Sequence, residues 1–406
     1  MSHLNTVDII IVGGGVMGLA SAYYAAKQGK TVIVLEQGEN FNSPLNSSYG
    51  DERMYRLMYS DPYFAELAQP ALDLWKELEI EYQDQDHSID KKLLSECGLL
   101  FYGEWSDVNT IEGNLIDAAK VMTQRNIPFE HLDHQGLASH FPVLQNIPPQ
   151  FEGLFEGGSG FVYSQRACQA FHDGAEQLGV VFKANTSVDE IQADNESVSI
   201  LTKSGISYQA KRAILCPGAW VNDLLIPNFN IELDIKLWHM EWALYQVDKA
   251  WEKEYPEWFC FNSLFSHENN PKDGDLYYGF PSLQDGRSCI KVGIDWTDRI
   301  STSMDTFDYT PNEPLQAMLE RFIRTQFKGI GKRIHAACSP YAMSTDARFV
   351  LDTLPNHPNI ALFTAGSGQA FKFAPLIGKS LVELVCTGKT DIDIQPLNLA
   401  RTIISS

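Results

Sequence analysis

The run Val7-Asp8-Ile9-Ile10-Ile11-Val12 leads directly into Gly13-Gly14-Gly15-Val16-Met17-Gly18, and no other segment constrains the fold as tightly. The apolar run reads as a buried strand, Leu19 to Gln28 carries Ala and Leu at helical spacing, and Thr31 to Leu35 reads as a second strand ending at Glu36. Each glycine has its own task. Gly13 permits the turn, Gly15 lets backbone N–H groups approach a pyrophosphate, and Gly18 lets helix and strand pack closely. At Glu36 a carboxylate can accept both hydroxyls of an adenosine ribose. Gly13, Gly15, Val16, Met17, Gly18, Glu36 and Gln37 are therefore read as a dinucleotide site. The motif does not separate FAD from NAD, because both present the same ADP.

The rest of the chain has to decide. A chain of 406 residues exceeds what one hydrophobic core usually organises, so two domains are expected. An NAD domain would continue in regular strand and helix alternation, but the middle of this chain is irregular and rich in aromatics. Lys211 to Cys216 followed by Pro217-Gly218-Ala219-Trp220, and Asn359 to Thr364 followed by Ala365-Gly366-Ser367-Gly368 and a helix from Phe373 to Cys386, read as returns to the nucleotide domain. Between them lie strand-like runs at Trp242 to Val247, Leu276 to Phe280 and Ser288 to Ile294. The expected fold class is α/β (α+β overall). A discontinuous Rossmann-like domain, 1–88, 151–224 and 333–406, is interrupted by an antiparallel-sheet substrate domain, 89–150 and 225–332.

Charge and cysteine usage exclude several classes. Lys and Arg total 31 against 52 Asp and Glu, and a net charge of −21 repels phosphate backbones, so no nucleic acid partner is expected. No early apolar stretch reaches membrane-span length and no leader pattern precedes the first strand, so a cytoplasmic monomer without a membrane partner is the expectation. The seven cysteines form no C-x-x-C pair, which argues against a disulfide framework or a metal site.

Several segments in matching order carry a resemblance along essentially the whole chain: the glycine turn with Glu36, Gly50-Asp51-Glu52-Arg53 with Arg56, Gly153 to Ser164, Pro217 to Trp220, Tyr277 to Pro281, Lys291-Val292-Gly293, and Phe371-Lys372-Phe373-Ala374-Pro375. The sequence resembles the monomeric sarcosine oxidase, N-methyltryptophan oxidase and pipecolate oxidase group of FAD amine oxidases. The resemblance implies FAD, held additionally by Ser48, Arg53, Val188, Gly218, Trp220, Ser339, Gly366, Gly368, Gln369 and Lys372. It also implies a small amine or amino acid substrate and O2. It places Arg53 near the flavin and sets Arg56 and Lys372 as a clamp on the substrate carboxylate. Arg53 and Arg56, three apart, would share a face on a helical turn. Period-two alternation puts Lys291, Gly293 and Asp295 on one strand face, opposite Ile290, Val292 and Ile294. The resemblance assigns Lys291 to the activation of O2, and Tyr278 to the substrate cavity.

Departures from the group's pattern concern the chemistry. Ser339 stands where the group has the cysteine that carries FAD, and the adjacent Cys338 would point to the opposite face of a strand unless a bulge intervenes. Non-covalent FAD is the expectation, with a link through Cys338 as the alternative. Tyr49, Asp295, Gln369 and Glu52 replace other residue types around the site, and Glu241 replaces an apolar one, which would add negative charge to the cavity. These acids would either pair with Arg53 and Lys291 or receive a second cationic group of the substrate. The leading reading is an FAD-dependent oxidase that converts the C–N bond of a secondary or N-substituted amino acid to an imine. Its alternatives are a biosynthetic dehydrogenase with poor O2 reactivity and a degenerate FAD-binding protein. Retention of Arg56, Lys291 and Lys372 together argues against degeneracy.

Overall fold

The computed structural model describes residues 6–41, 43–44, 46–84, 92–261, 275–283 and 285–403. Strand β1 (Thr6–Val12) lies inside an eight-stranded sheet, paired in parallel with β2 (Val32–Leu35) on one side and with Ser207–Leu215 on the other. Ile9, Ile10 and Ile11 are fully buried because both faces of this parallel sheet are covered. His357–Thr364 adds a further parallel strand beside Ser207–Leu215. The helix α1 (Val16–Lys27) packs between the sheet and the helices Ser164–Gln177 and Ala374–Thr387, which explains its nearly unbroken apolar surface.

The turn into α1 tolerates no side chain at two points. Gly13 has φ +105°, and a Cβ there would sit 2.2 Å from the Cys216 carbonyl oxygen; one on Gly18 would sit 1.9 Å from the carbonyl oxygen of Gly13.

The second large sheet has nine strands among the described residues. Its long member Ile235–Val247 pairs along its length with Ile330–Ser344 and, on its other edge, with Cys289–Ile294, followed by Leu276–Phe280, Glu257–Phe261, Leu99–Glu104, Phe151–Glu156 and Glu130–Leu132. This sheet is not purely antiparallel as expected: Glu257–Phe261 and Leu99–Glu104 run parallel. The two are far apart in sequence, so no hairpin dictates their relative direction. Phe151–Glu156 and Ile330–Ser344 belong to this sheet, although the sequence reading assigns 151 onward and 333 onward to the nucleotide domain.

A small antiparallel sheet of β3 (Glu52–Tyr55), Gly160–Tyr163 and Leu94–Ser95 completes the scaffold. Arg53 thus lies on a strand and not on a helical turn, so it does not share a face with Arg56 by helical spacing. All seven cysteines are free thiols, and no described helix is long and apolar enough to cross a membrane.

Gly18→Ala is expected to destabilise the apoprotein by about 1–3 kcal/mol through overpacking against the turn. A lowered urea midpoint together with loss of bound dinucleotide would show this. An unchanged midpoint would show that α1 can shift away from β1.

Candidate active site

A cavity of about 680 Å³ opens beside the glycine turn. Gly15 caps α1 with no side-chain hydrogen bond, and no acid sits in the first turn, so the helix N-terminus presents its N–H groups to an anion. Glu36 is buried, its two oxygens accepting from the backbone N–H groups of Gly14 (2.6 Å) and Gly38 (2.7 Å), which fixes the carboxylate at the cavity wall with lone pairs to spare. The Ser48 hydroxyl accepts from Val16 N–H at 3.3 Å. Gly13, Val16, Met17, Gly18, Gln37, Val188, Gly218, Trp220 and Gly366 line the same space. So does the loop Ala365–Gly368, where Ala365 (φ 52°) and Ser367 (φ 47°) are both left-handed; such backbone is held where function requires it. A helix terminus without its own anion, a buried carboxylate with free lone pairs at the wall and a cavity of this size fit a dinucleotide.

A second cavity, of about 520 Å³, shares Asn46, Ser47, Arg53, Pro340, Tyr341, Gly368 and Phe371 with the first. Arg53 stands at this junction, its guanidinium donating to the carbonyl oxygens of Glu52 (2.7 Å), Ser47 (2.8 Å) and Tyr49. Three backbone acceptors fix the cation's position without neutralising it.

The strand Cys289–Ile294 delivers the cavity residues as its alternation requires. Ile290, Val292 and Ile294 enter the core, whereas Lys291 and Asp295 line the cavity. Lys291 Nζ lies 3.2 Å from Glu52 Oε1 and over the rings of Trp242 and Phe280. Burial lowers its pKa, and Glu52 offsets part of that effect. Gly293 is bare because the Tyr278 ring crosses it: a Cβ there would sit 2.2 Å from Tyr278 Cζ. Tyr278 is hydrogen-bonded to Tyr341, and both line the cavity.

Asp295 and Lys372 face the same space, and both titrate close to neutrality. Burial and then the nearby Glu112 carboxylate push Asp295 up to about 7, while burial and then the Arg56 guanidinium bring Lys372 down to about 7. Lys372 is 8 % exposed and donates to the Gln369 carbonyl oxygen at 3.0 Å; among the described residues no carboxylate lies within ion-pair distance of it. Gln369 and Tyr49 complete this wall, the former donating to the Ala347 carbonyl oxygen at 2.9 Å.

Two sequence expectations, those for Glu241 and Arg56, are corrected here, whereas Cys338 and Ser339 take the opposed faces expected of strand neighbours. Glu241 is not in the cavity. On the strand Ile235–Val247 it faces the helix Glu313–Gln326, accepting from Gln316 Nε2 (2.7 Å) and Asn312 N–H (2.9 Å) with Arg299 at 3.6 Å, while its neighbour Trp242 takes the cavity face. Cys338 sits opposite Glu241 in register and its thiol is hydrogen-bonded to that carboxylate, so it points away from the junction; Ser339 points inward and accepts from Trp242 Nε1 at 3.0 Å. Arg56 is not an open arm of a clamp. Its guanidinium is buried among Tyr59, Phe101 and Phe259 and ion-paired with Glu112, and Glu112 is the residue that lines the cavity.

Sequence reasoning missed Glu112 and Tyr341. Tyr341 was accessible, since it lies two residues from Ser339 on one strand and therefore on the same face. Glu112 was not, because its partner Arg56 is 56 positions away and no motif surrounds it.

Comparison with known proteins shows the family. Residues 8–384 match the FAD dependent oxidoreductase family. N-methyl-L-tryptophan oxidase from Escherichia coli is 31% identical over 398 residues, covering 97% of this chain and 99% of the relative. The structure of NikD, an amino acid oxidase essential for nikkomycin biosynthesis, superposes with a TM-score of 0.84 at 26% identity, covering 97% of each chain. L-proline dehydrogenase from P. horikoshii shares the fold, with a TM-score of 0.79 at 18% identity over 98% of this chain and 97% of that one. The match runs along nearly the whole chain, and the chain belongs to the FAD dependent oxidoreductase family as an enzyme acting on CH–NH bonds.

Proposed function

We propose that this enzyme oxidises the C–N bond of a secondary or N-substituted amino acid to an imine, with O2 as acceptor and hydrogen peroxide as product. The observation that carries the reading is Lys372, a buried ammonium on the cavity wall with a carbonyl partner and no carboxylate at ion-pair distance among the described residues. Desolvating such a group is costly unless an anion meets it, and the α-carboxylate of an amino acid is that anion. The names of N-methyl-L-tryptophan oxidase and the amino acid oxidase NikD support the same substrate class.

FAD, when bound, supplies the acceptor for the hydride leaving the carbon next to nitrogen and then the electrons for O2. The chain's residues prepare that step. Lys372 holds the carboxylate, which orients the amine. Asp295, poised at about 7, holds or releases a proton beside it in the working range, favouring the neutral amine. Tyr278 and Tyr341 wall the same cavity, and Lys291 keeps a cation close to the junction with the nucleotide cleft, where charge develops on O2. Glu52 is committed to Lys291 and Glu241 to Arg299, so neither is free to receive a second cationic group of the substrate.

Anaerobic mixing with sarcosine, pipecolate and dibasic N-substituted amino acids tests the reading. Loss of flavin colour with at least one of them, and not with the corresponding amide, is expected; equal reaction of acid and amide would remove the carboxylate requirement.

Attachment of FAD is proposed to be non-covalent, supported by Ser339 on the wall of the second cavity and by the Cys338 thiol, which is turned to Glu241. Acid precipitation is expected to release the colour into the supernatant, whereas a yellow pellet would contradict this.

Lys291→Met is expected to slow reoxidation of the reduced enzyme by O2 at least about tenfold while leaving anaerobic reduction nearly unchanged. Equal slowing of both half-reactions in stopped-flow traces would remove its separate role.

Affinity for a carboxylate should fall as pH rises through about 7, since Lys372 loses its positive charge and Asp295 gains a negative one there. Titrations with 2-furoate, followed by the flavin spectrum, should show this slope in the wild type. Its persistence in a Lys372→Met, Asp295→Asn double variant would assign it elsewhere.

A further inference from the structure

Arg56 is the strongest fork-shaped carboxylate receptor near the cavity, yet a carboxylate of the chain itself already occupies it. Glu112 Oε2 pairs with Arg56 Nη2, and the glutamate, not the arginine, forms the cavity wall. We propose that Glu112 is a specificity-determining residue: it stands in for a ligand carboxylate on Arg56, and the α-carboxylate of the substrate takes its place when it binds. This rests on the reading that the substrate carries a carboxylate beside the reacting amine.

The two sides of the pair are built differently. Arg56 is held by more than Glu112. Its guanidinium lies 4.4 Å from the Tyr59 ring centroid, 5.1 Å from Phe259 and 5.5 Å from Phe101, and the residue is 2 % exposed. The attraction of a guanidinium to these rings does not depend on an anion being present. Glu112 instead projects from a short turn whose ends bond to each other: Thr110 N–H to the Gly113 carbonyl oxygen at 2.8 Å and Gly113 N–H to the Thr110 carbonyl oxygen at 3.0 Å. The preceding Asp107, Val108 and Asn109 are exposed. The glutamate side chain can therefore swing off Arg56 by rotating its own bonds, leaving the turn and the receptor intact.

Electrostatics gives the exchange its direction. A ligand carboxylate drawn to Lys372 enters the cavity that Glu112 also lines, with Arg56 directly behind that glutamate. With Glu112 in place the incoming anion meets a like charge. With Glu112 displaced it gains the Arg56 guanidinium as a second cation and the fork geometry that suits a carboxylate. Binding then becomes a replacement of one carboxylate by another. Small anions that gain little elsewhere in the cavity are held back, and a substrate with further contacts is admitted.

The test uses the FAD-loaded enzyme and two flat ligands without an amine, 2-furoate and its uncharged amide, with affinity read from the flavin spectrum. Glu112→Gln keeps the side chain's shape and removes its charge; it is expected to tighten 2-furoate by at least about tenfold, with the amide unchanged. Glu112→Asp, one methylene shorter, should shift affinity in the same direction by a smaller factor. Unchanged or weaker furoate binding in both variants would overturn the exchange and make Glu112 a fixed partner that positions Arg56. Arg56→Lys separates this from failure of the underlying reading. If that variant weakens furoate while the glutamate variants do not tighten it, only the exchange is wrong. If neither Arg56→Lys nor Lys372→Met changes furoate affinity, the carboxylate reading falls and the exchange with it.

Discussion

Arg56 and Lys372 are buried, Lys291 nearly so and Arg53 in part, in and behind the wall of one cavity, and the design of the site follows from how each charge is answered. A desolvated cation without a partner costs several kcal/mol, roughly, so each must find one. Arg53 uses backbone carbonyl oxygens, Lys291 uses Glu52, and Arg56 uses three aromatic faces and Glu112. Lys372 has one carbonyl oxygen and a pKa brought down to about 7, which leaves it the cation most changed by an arriving carboxylate.

This compensation depends on the two sheets meeting at the junction. The nucleotide sheet supplies the helix N-terminus and the left-handed loop Ala365–Gly368, which leads into Lys372. The nine-stranded sheet supplies Lys291, Tyr278 and Tyr341, with Asp295 just beyond a strand end. The small sheet places Glu52 and Arg53 between them on one short strand. Adjacent residues on a strand point to opposite faces, so Glu52 can reach Lys291 while Arg53 reaches the nucleotide cleft.

The same alternation explains why some substitutions relative to the sarcosine oxidase group alter the cavity and others do not. Asp295 and Glu52 lie on faces that reach the cavity. Glu241 lies one residue from Trp242 on a strand whose other face meets the helix Glu313–Gln326, so its charge is absorbed by Arg299, Gln316 and Asn312. Added acid in the sequence is therefore not equivalent to added acid in the site.

The sequence alone determined what depends on neighbours in the chain. The strand, glycine turn and helix at 6–27, the buried acid at Glu36, the cavity face shared by Lys291 and Asp295, and the opposed faces of Cys338 and Ser339 all follow from periods of 2 and 3.6 residues and from the absence of a Cβ at Gly13 and Gly18. Tertiary structure alone decided what depends on approach across the fold: the Arg56–Glu112 pair, the turning of Glu241 away from the cavity, the parallel pairing of Glu257–Phe261 with Leu99–Glu104, and the lack of a carboxylate at ion-pair distance from Lys372 among the described residues. A local pattern fixes which way a side chain points. Whether it meets an opposite charge there depends on segments that only packing brings together, and in this cavity that meeting sets which cation is left for the substrate.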